Sequence, residues 1–170
     1  MNCVNRAYVT VVVLGCGLLA LAQDIHIRVV NGRNGKPITD ECLNVWIGTG
    51  RAGSHLVAGT NKDGIAVLRV GDADIFAETP CQGSTTRVPA HSDEIRISGD
   101  FYIACQEYGK RIPGDTVTDP LTLVPSYSIK KIVESGLALA NTCGKQKAVA
   151  NPGELTSFAR PMSFWEKMKL

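Results

Sequence analysis

This sequence predicts an all-β protein: an antiparallel sandwich followed by a C-terminal extension that carries two short helices. Three observations lead there. Short segments alternate apolar and polar residues. Strong turn sequences separate them at intervals of about 8–12 residues. Between residues 24 and 106 no helical period outlasts about two turns. The composition agrees with a packed domain. In 170 residues, 44% are hydrophobic and 20% charged, which suits one folded unit and excludes a disordered chain. The 17 Gly and 8 Pro supply turns. Formal charge is +2, from 18 Lys+Arg against 16 Asp+Glu, with no basic run, so nothing points to nucleic acid.

Residues 1–22 stand apart from the fold. Arg6 is their only charge, an apolar run follows, and Ala20-Leu21-Ala22 closes it, which is the pattern of a cleaved signal peptide. The run is shorter than the ~20 apolar residues of a membrane span and is broken by Thr10, Gly15 and Gly17. A lipoprotein reading through Val13-Leu14-Gly15-Cys16 would leave an apolar stretch where a polar tether belongs. The chain is therefore expected to be exported, periplasmic or secreted, with no membrane span after cleavage.

The strands follow in order. Residues 24–30 place Ile25, Ile27 and Val29 on one face and His26 and Arg28 on the other. Residues 43–47 alternate through Leu43, Val45 and Ile47, and 55–59 is a weaker strand. Asn61-Lys62-Asp63-Gly64 is a turn, with a strand at 65–70 after it. Residues 74–79 form another strand, stopped by Pro80, and 94–98 and 101–106 complete the set. From 107 to 125 the chain loses periodicity and reads as a long loop. Ile129, Ile132 and Val133 then recur at helical spacing between Ser128 as N-cap and Gly136 as stop. A final strand is expected at 152–160. Ser163 and Glu166 form a capping box opening a terminal turn, whose Phe164, Trp165 and Met168 are expected to dock on the sandwich. The domain scheme is thus a signal peptide at 1–22, a β-sandwich at 23–106, and an extension at 107–170 packed upon it.

Four cysteines remain after cleavage: Cys42, Cys81, Cys105 and Cys143. In an exported chain they imply two disulfides, with three connectivities open. Pairing Cys42 with Cys81 and Cys105 with Cys143 closes two spans of nearly equal length and ties the extension to a sandwich strand, so it is preferred. A zinc site is disfavoured because no two of the four stand close in sequence.

Gly35-Lys36-Pro37-Ile38 before the strand at 43–47 is similar to the opening of carboxypeptidase regulatory-like, transthyretin-like domains. Thr60-Asn61-Lys62-Asp63-Gly64-Ile65-Ala66 resembles that family's T-D-x-x-G hairpin between the middle strands. The resemblance covers about residues 24–106. It implies a seven-stranded prealbumin-like sandwich that serves as an accessory or binding module.

The candidates for chemistry are sparse. Gly48-Thr-Gly50-Arg-Ala-Gly53 matches G-x-G-x-x-G, but no helix long enough to cradle a pyrophosphate fits before Gly59, so a hairpin loop is expected. His26, His55 and His91 are far apart in sequence and read as one strand-face and two loop histidines. Transthyretin-like relatives include hydroxyisourate hydrolases, whose activity rests on histidines and a C-terminal Tyr-Arg-Gly-Ser. The corresponding stretch here reads Lys167-Met-Lys-Leu170, against that activity. Asp63, Asp72 and Asp74 offer carboxylates without calcium-loop spacing. No G-x-S-x-G nucleophile elbow occurs. No catalytic residue, cofactor or metal is assigned. The expected role is a non-catalytic exported module that binds a protein or glycan surface through Trp46, Arg51, His55 and Asp63. The alternatives are a small secreted hydrolase of the transthyretin-like type or a structural envelope component. The first test concerns export. Protein recovered from the periplasm or medium should have an intact mass that begins at Gln23. A mass retaining residues 1–22, or carrying lipid on Cys16, contradicts the reading.

Overall fold

The computed structural model describes residues 23–48, 53–81, 83–99, 102–105 and 125–168. The expected signal peptide, Arg51 and nearly all of the expected long loop at 107–125 lie outside these residues. The described chain forms β1 (Gln23–Asn31), β2 (Cys42–Ile47), β3 (Ser54–Gly59), β4 (Ile65–Val70), β5 (Asp74–Ala77), β6 (Arg87–Pro89), β7 (Glu94–Gly99) and β8 (Tyr102–Ala104). After them come β9 (Tyr127–Ser128), α1 (Ile129–Ser135), β10 (Leu137–Ala138), β11 (Glu154–Pro161) and α2 (Phe164–Lys167). The protein is all-β, in two sheets. The larger runs β10-β11-β1-β4-β5-β6, with β8 pairing β11 as well; the smaller runs β3-β2-β7-β9.

Alternation builds the core. Ile25, Ile27 and Val29 of β1 turn inward to meet Leu68 and Ile75 on their own sheet and Val45, Ile47, Leu56 and Ile95 from the other. Seven of these nine are fully excluded from solvent, so the period-2 pattern sorts faces as a half-buried strand should. Ile129 and Ile132 of α1 join the same core, which places the helix across one end of the sandwich. Ser128 caps α1 by accepting from the Lys131 N–H, and Gly136 ends it with its N–H on the Ile132 carbonyl, as the sequence predicts.

Three features depart from expectation. First, the sandwich is not wholly antiparallel. β11 runs parallel to β1 over six residue pairs, from His26 opposite Glu154 to Asn31 opposite Ala159, and β10 is parallel to β11. Parallel neighbours need a long connection between them; here almost the whole chain separates β1 from β11. The C-terminal strand thus lies inside the larger sheet rather than against its surface. Second, the Asn61–Gly64 turn is no hairpin within one sheet: β3 and β4 belong to different sheets, and the turn carries the chain across. Asn61 holds it, its Oδ1 accepting from the N–H groups of Asp63 (2.9 Å) and Ile65 (3.0 Å). Gly64 has φ +71°, and a Cβ there would meet the Pro37 Cβ at 2.8 Å and the Val29 carbonyl at 2.9 Å. Third, the aromatics of α2 do not dock on the sandwich. Phe164, Trp165 and Met168 are 68%, 73% and 68% exposed. The helix is held instead from its polar side by Arg160 and Ser163, which leaves the apolar side outward.

The two disulfides join Cys42 to Cys81 and Cys105 to Cys143, with Cα–Cα distances of 5.9 and 5.2 Å and sequence separations of 39 and 38. The first ties the start of β2 to the strand-like segment around Pro80, which bridges Ala58 on the edge strand β3. The second ties the end of β8 to the loop after β10. Around it Cys105 N–H donates to the Phe158 carbonyl (2.8 Å) and Thr142 N–H to the Cys105 carbonyl (2.7 Å). On the chain-entropy model, a loop of this length is worth about 4 kcal/mol less any native strain. Replacing Cys105 and Cys143 together by Ser should therefore lower unfolding stability by about 3–4 kcal/mol, read as the shift of the urea midpoint at constant slope. A loss under ~1 kcal/mol would mean that the 139–151 segment is held by its hydrogen bonds alone.

Candidate binding surfaces

The structure divides the residues that the sequence nominates. Trp46 on β2 and His55 on β3 are directly opposed across the strands, with ring centroids 5.1 Å apart and planes tilted by 30°. They stand on the outer face of the smaller sheet, since Val45, Ile47 and Leu56 take the inner one. Asn44 shares that outer face and binds His55, its Oδ1 lying 2.9 Å from the imidazole Nε2. On the other side of Trp46 comes Arg96, its direct partner on β7. Arg96 is only 4% exposed, and its guanidinium donates to the Gly48 carbonyl at 2.9 Å, just past the end of β2. The product is an amphipathic platform with a half-buried indole at its centre, His55 and Asn44 on one flank, and a buried cation behind.

Asp63 does not belong to this platform. It sits in the turn after β3, at the opposite end of that strand from His55, and borders a cleft on the outer face of the larger sheet. This open cleft has a volume of about 590 Å³. Its floor is Arg28 and Val30 from β1 with Glu154, Thr156 and Phe158 from β11, side by side because the parallel register sets Arg28 opposite Thr156 and Val30 opposite Phe158. Gln146, Lys147 and Asn151 line it from the loop that the second disulfide anchors. Sequence reasoning missed this cleft. The outward Arg28 was legible from alternation, but its partner Glu154 becomes visible only once the parallel pairing is known.

Glu154 is the charged centre of the cleft. Its Oε1 accepts from Arg28 Nε (2.9 Å) and from the Thr156 hydroxyl (2.8 Å), and Oε2 faces the second Arg28 nitrogen at 3.4 Å. Burial pushes its carboxyl up, but the hydrogen bonds and charge of Arg28, with further bonds from Thr156 and Asn151, outweigh burial and hold it below the usual carboxylate value.

A third feature surrounds α2. Arg160 donates from both terminal nitrogens to Glu166 at 2.9 and 2.7 Å, and the Ser163 N–H donates to the same carboxylate at 2.8 Å. Glu166 is held far below the ordinary carboxylate range, chiefly by the hydrogen bonds from Arg160 and then by those from the Ser163 backbone and side chain. This bidentate pair fixes the turn that displays Phe164 and Trp165, whose rings meet edge-on with centroids 5.6 Å apart.

The remaining nominees do not converge. His26 is exposed on the outer face of the larger sheet and His55 on the outer face of the smaller one. His91 lies in the loop before β7, its Nδ1 3.0 Å from the Pro89 carbonyl. Asp72 and Asp74 stand at the far end of β4 from Asp63, and Asp74 pairs with Arg87 at 3.0 Å. Among the described residues no group of three His, Cys, Asp or Glu side chains is placed to hold a metal ion.

Glu154 sets a pH dependence. Its carboxyl is lowered in the folded state, so its contribution is complete above the unfolded value of about 4.5 and is lost as pH falls through the lower folded value. Melting temperature should accordingly drop below about pH 4.5. Glu154→Gln should lower it at pH 7, at a cost of about 1–2 kcal/mol, and flatten part of the acid limb. An unchanged acid limb in that variant would assign the effect to other carboxylates.

Comparison with protein-family models, curated proteins and solved structures yields no match, so any functional argument rests on these surfaces.

Proposed function

We propose that this chain is an exported, non-catalytic accessory module that binds a protein or glycan surface through the outer face of its smaller sheet. One observation carries the reading: Trp46 and His55 form a stacked pair on an open strand face, and Asn44 fixes the imidazole edge. An indole presents a large rigid apolar area with a polar edge and loses little rotamer freedom on binding, which is why such side chains dominate recognition surfaces. Export is supported by the charge-free apolar run before Ala22 and by two disulfides, which persist in oxidising compartments. Among the described residues no helix is long and apolar enough to cross a membrane.

The resemblance to carboxypeptidase regulatory-like, transthyretin-like domains belongs to the same proposal. The two segments that carry it, around Pro37 and around Asp63, are neighbours here. Val29 lies between them, its N–H donating to the Gly64 carbonyl (2.8 Å) while its own carbonyl accepts from Ile38 N–H (3.0 Å). Asp40 N–H also donates to the Thr60 carbonyl at 3.1 Å. Two turn motifs locked into one corner form a structural unit, and a prealbumin-like sandwich is the architecture in which the family uses them.

The test is a binding screen of the purified protein against glycan arrays and immobilised envelope proteins, repeated with Trp46→Ala and His55→Ala. Trp46→Ala should weaken the interaction by about 30-fold, the loss expected of a central aromatic anchor. His55→Ala should weaken it less. Binding unchanged in both variants would remove this face from the function. Hydrolytic turnover of an ester, peptide or glycan that His55→Ala abolishes would replace the binding module with a small secreted hydrolase.

A further inference from the structure

We infer that the turn after β1 is an oxyanion site, in which the Arg33 guanidinium and the side-chain amides of Asn31 and Asn34 hold a phosphate, sulfate or carboxylate carried on a polar small molecule. This site is separate from the Trp46 face, so the two readings stand or fall independently.

The sequence Asn31-Gly32-Arg33-Asn34-Gly35 closes the turn on itself. Asn31 N–H donates to the Lys36 carbonyl and Gly35 N–H to the Asn31 carbonyl, both at 2.8 Å. Two further bonds fasten the turn to its surroundings. Gly32 N–H donates to the Ala159 carbonyl at 2.9 Å, and Asn141 Nδ2 donates to the Gly32 carbonyl at 2.8 Å. Side chains on so fixed a backbone have less freedom to lose when a ligand arrives.

The turn presents donors. Asn31 Oδ1 accepts from the Arg33 N–H and Asn34 Oδ1 from the Lys36 N–H, each at 3.0 Å. An amide whose oxygen is spent in this way has its NH2 group left to offer. Among the described residues, neither Asn31, Asn34 nor Arg33 uses a side-chain nitrogen in a hydrogen bond or ion pair. These three side chains line one open cleft of about 500 Å³, whose far wall is Arg160 and Glu166. The two walls meet because the parallel register sets Asn31 opposite Ala159, next to Arg160.

Charge and hydrogen bonding select the ligand. Glu166 is the one acid in this lining, and both its oxygens are taken, by Arg160 at 2.9 and 2.7 Å and by the Ser163 N–H at 2.8 Å. The Ser163 and Glu166 N–H groups are spent on each other's side chains, so the start of α2 lends no donor and the site belongs to the β1 turn. Two guanidinium groups against one carboxylate leave a single positive charge, on Arg33. A cleft with free donors, a net positive charge and its amide and carboxylate oxygens already occupied fits a group that is all acceptor. An amine would meet Arg33 with no free carboxylate to offset it. The guanidinium fork matches two oxygens of a phosphate, sulfate or carboxylate. A cleft of about 500 Å³ is in the size range of small-molecule sites, so it admits the molecule that carries the oxyanion as well as the oxyanion itself.

The experiment is titration of the isotope-labelled full chain with inorganic phosphate, sulfate, glycerol phosphate, glucuronate and, as the neutral control, glucose, all at constant ionic strength. The reporters are the side-chain amide resonances of Asn31 and Asn34 and the Nε–H of Arg33. Expected are saturable shifts of these groups with millimolar anion and none with glucose. Arg33→Gln should weaken binding about tenfold or more, and Arg33→Lys, which keeps the charge and loses the fork, should weaken it less. Asn34→Asp keeps an oxygen for the Lys36 N–H but sets a carboxylate in the site, and should abolish saturation. Arg33 and Asn34 are exposed, so these variants should keep the parent's melting temperature, which is measured alongside. Tighter binding of glycerol phosphate than of inorganic phosphate identifies a phosphate ester as the ligand, and tighter binding of glucuronate identifies a sugar carboxylate. The proposal is overturned if none of the anions saturates, if saturation survives Arg33→Gln, or if glucose produces the same shifts.

Discussion

The parallel pairing of β1 with β11 is the constraint on which the rest of the molecule depends. β1 is the central strand of the larger sheet, and it contributes Ile25, Ile27 and Val29 to the core. β4 satisfies one edge of it through an antiparallel ladder from Gln23 opposite Val70 to Arg28 opposite Ile65. The other edge is satisfied only when the chain's far end returns. Until then a central strand presents an unpaired row of backbone groups, which is both unstable and prone to wrong pairing. Once β11 is seated it brings β10 and β8 with it, since each pairs on its outer edge, β10 at Leu155–Thr156 and β8 at Ala159–Pro161. The helix α1 precedes β10 and caps the core. Completion of the sheet, closure of the sandwich end and formation of the cleft are thus one event, and a non-local one of the kind that slows folding.

The two disulfides divide the remaining labour. Cys42–Cys81 secures the exposed edge of the smaller sheet, where the segment around Pro80 shields β3: Gly59 N–H donates to the Thr79 carbonyl (2.6 Å) and Val57 N–H to the Thr85 carbonyl (3.0 Å). Cys105–Cys143 secures the wall of the larger sheet's cleft. Asn141 supports it by donating from Nδ2 to the Gly32 carbonyl at 2.8 Å, an approach so close that a Cβ on Gly32 would come within 2.5 Å of the Asn141 Oδ1. Each bridge therefore holds an irregular segment against a strand, the place where backbone pairing alone is weakest.

What could be read from the sequence follows from how local the determining physics is. Period-2 alternation located β1, β2, β4, β5 and β7, because burial of one strand face is recorded within the strand. Caps were legible at Ser128, Gly136 and Ser163 for the same reason: the hydrogen-bonding partner is a few residues away. The short strands β6, β9 and β10 were missed, since two or three residues carry no period. The β1–β11 register was missed because nothing within either strand encodes its neighbour, and with it went the Arg28–Glu154 pair. Trp46 and His55 were named as candidates, but that they stack rested on the β2–β3 register. Asp63 was nominated alongside them and belongs to the other sheet's cleft, because the Asn61–Gly64 turn changes sheets instead of folding a hairpin back. Turn residues declare that the chain reverses, and they leave unstated which sheet receives it.

The orientation of α2 shows the same logic at work in a misjudged element. Helical spacing groups Phe164, Trp165 and Met168 on one side, and hydrophobicity alone would turn that side inward. The competing interaction is Arg160. On β11 its direct neighbours across the sheet are Ile103 and, one position earlier, the Ala159–Asn31 pair, so its guanidinium emerges at the end of the sheet where β11 runs out. Glu166 must reach it, and a planar two-point contact between guanidinium and carboxylate admits one approach. With Glu166 facing the sheet, the residues two before and two after it on the turn must face away. A charge-assisted bidentate contact, reinforced by a capping box that shares the same carboxylate, thereby outranks the burial of three apolar side chains. The exposed aromatic tip is a geometric consequence of where that single ion pair sits.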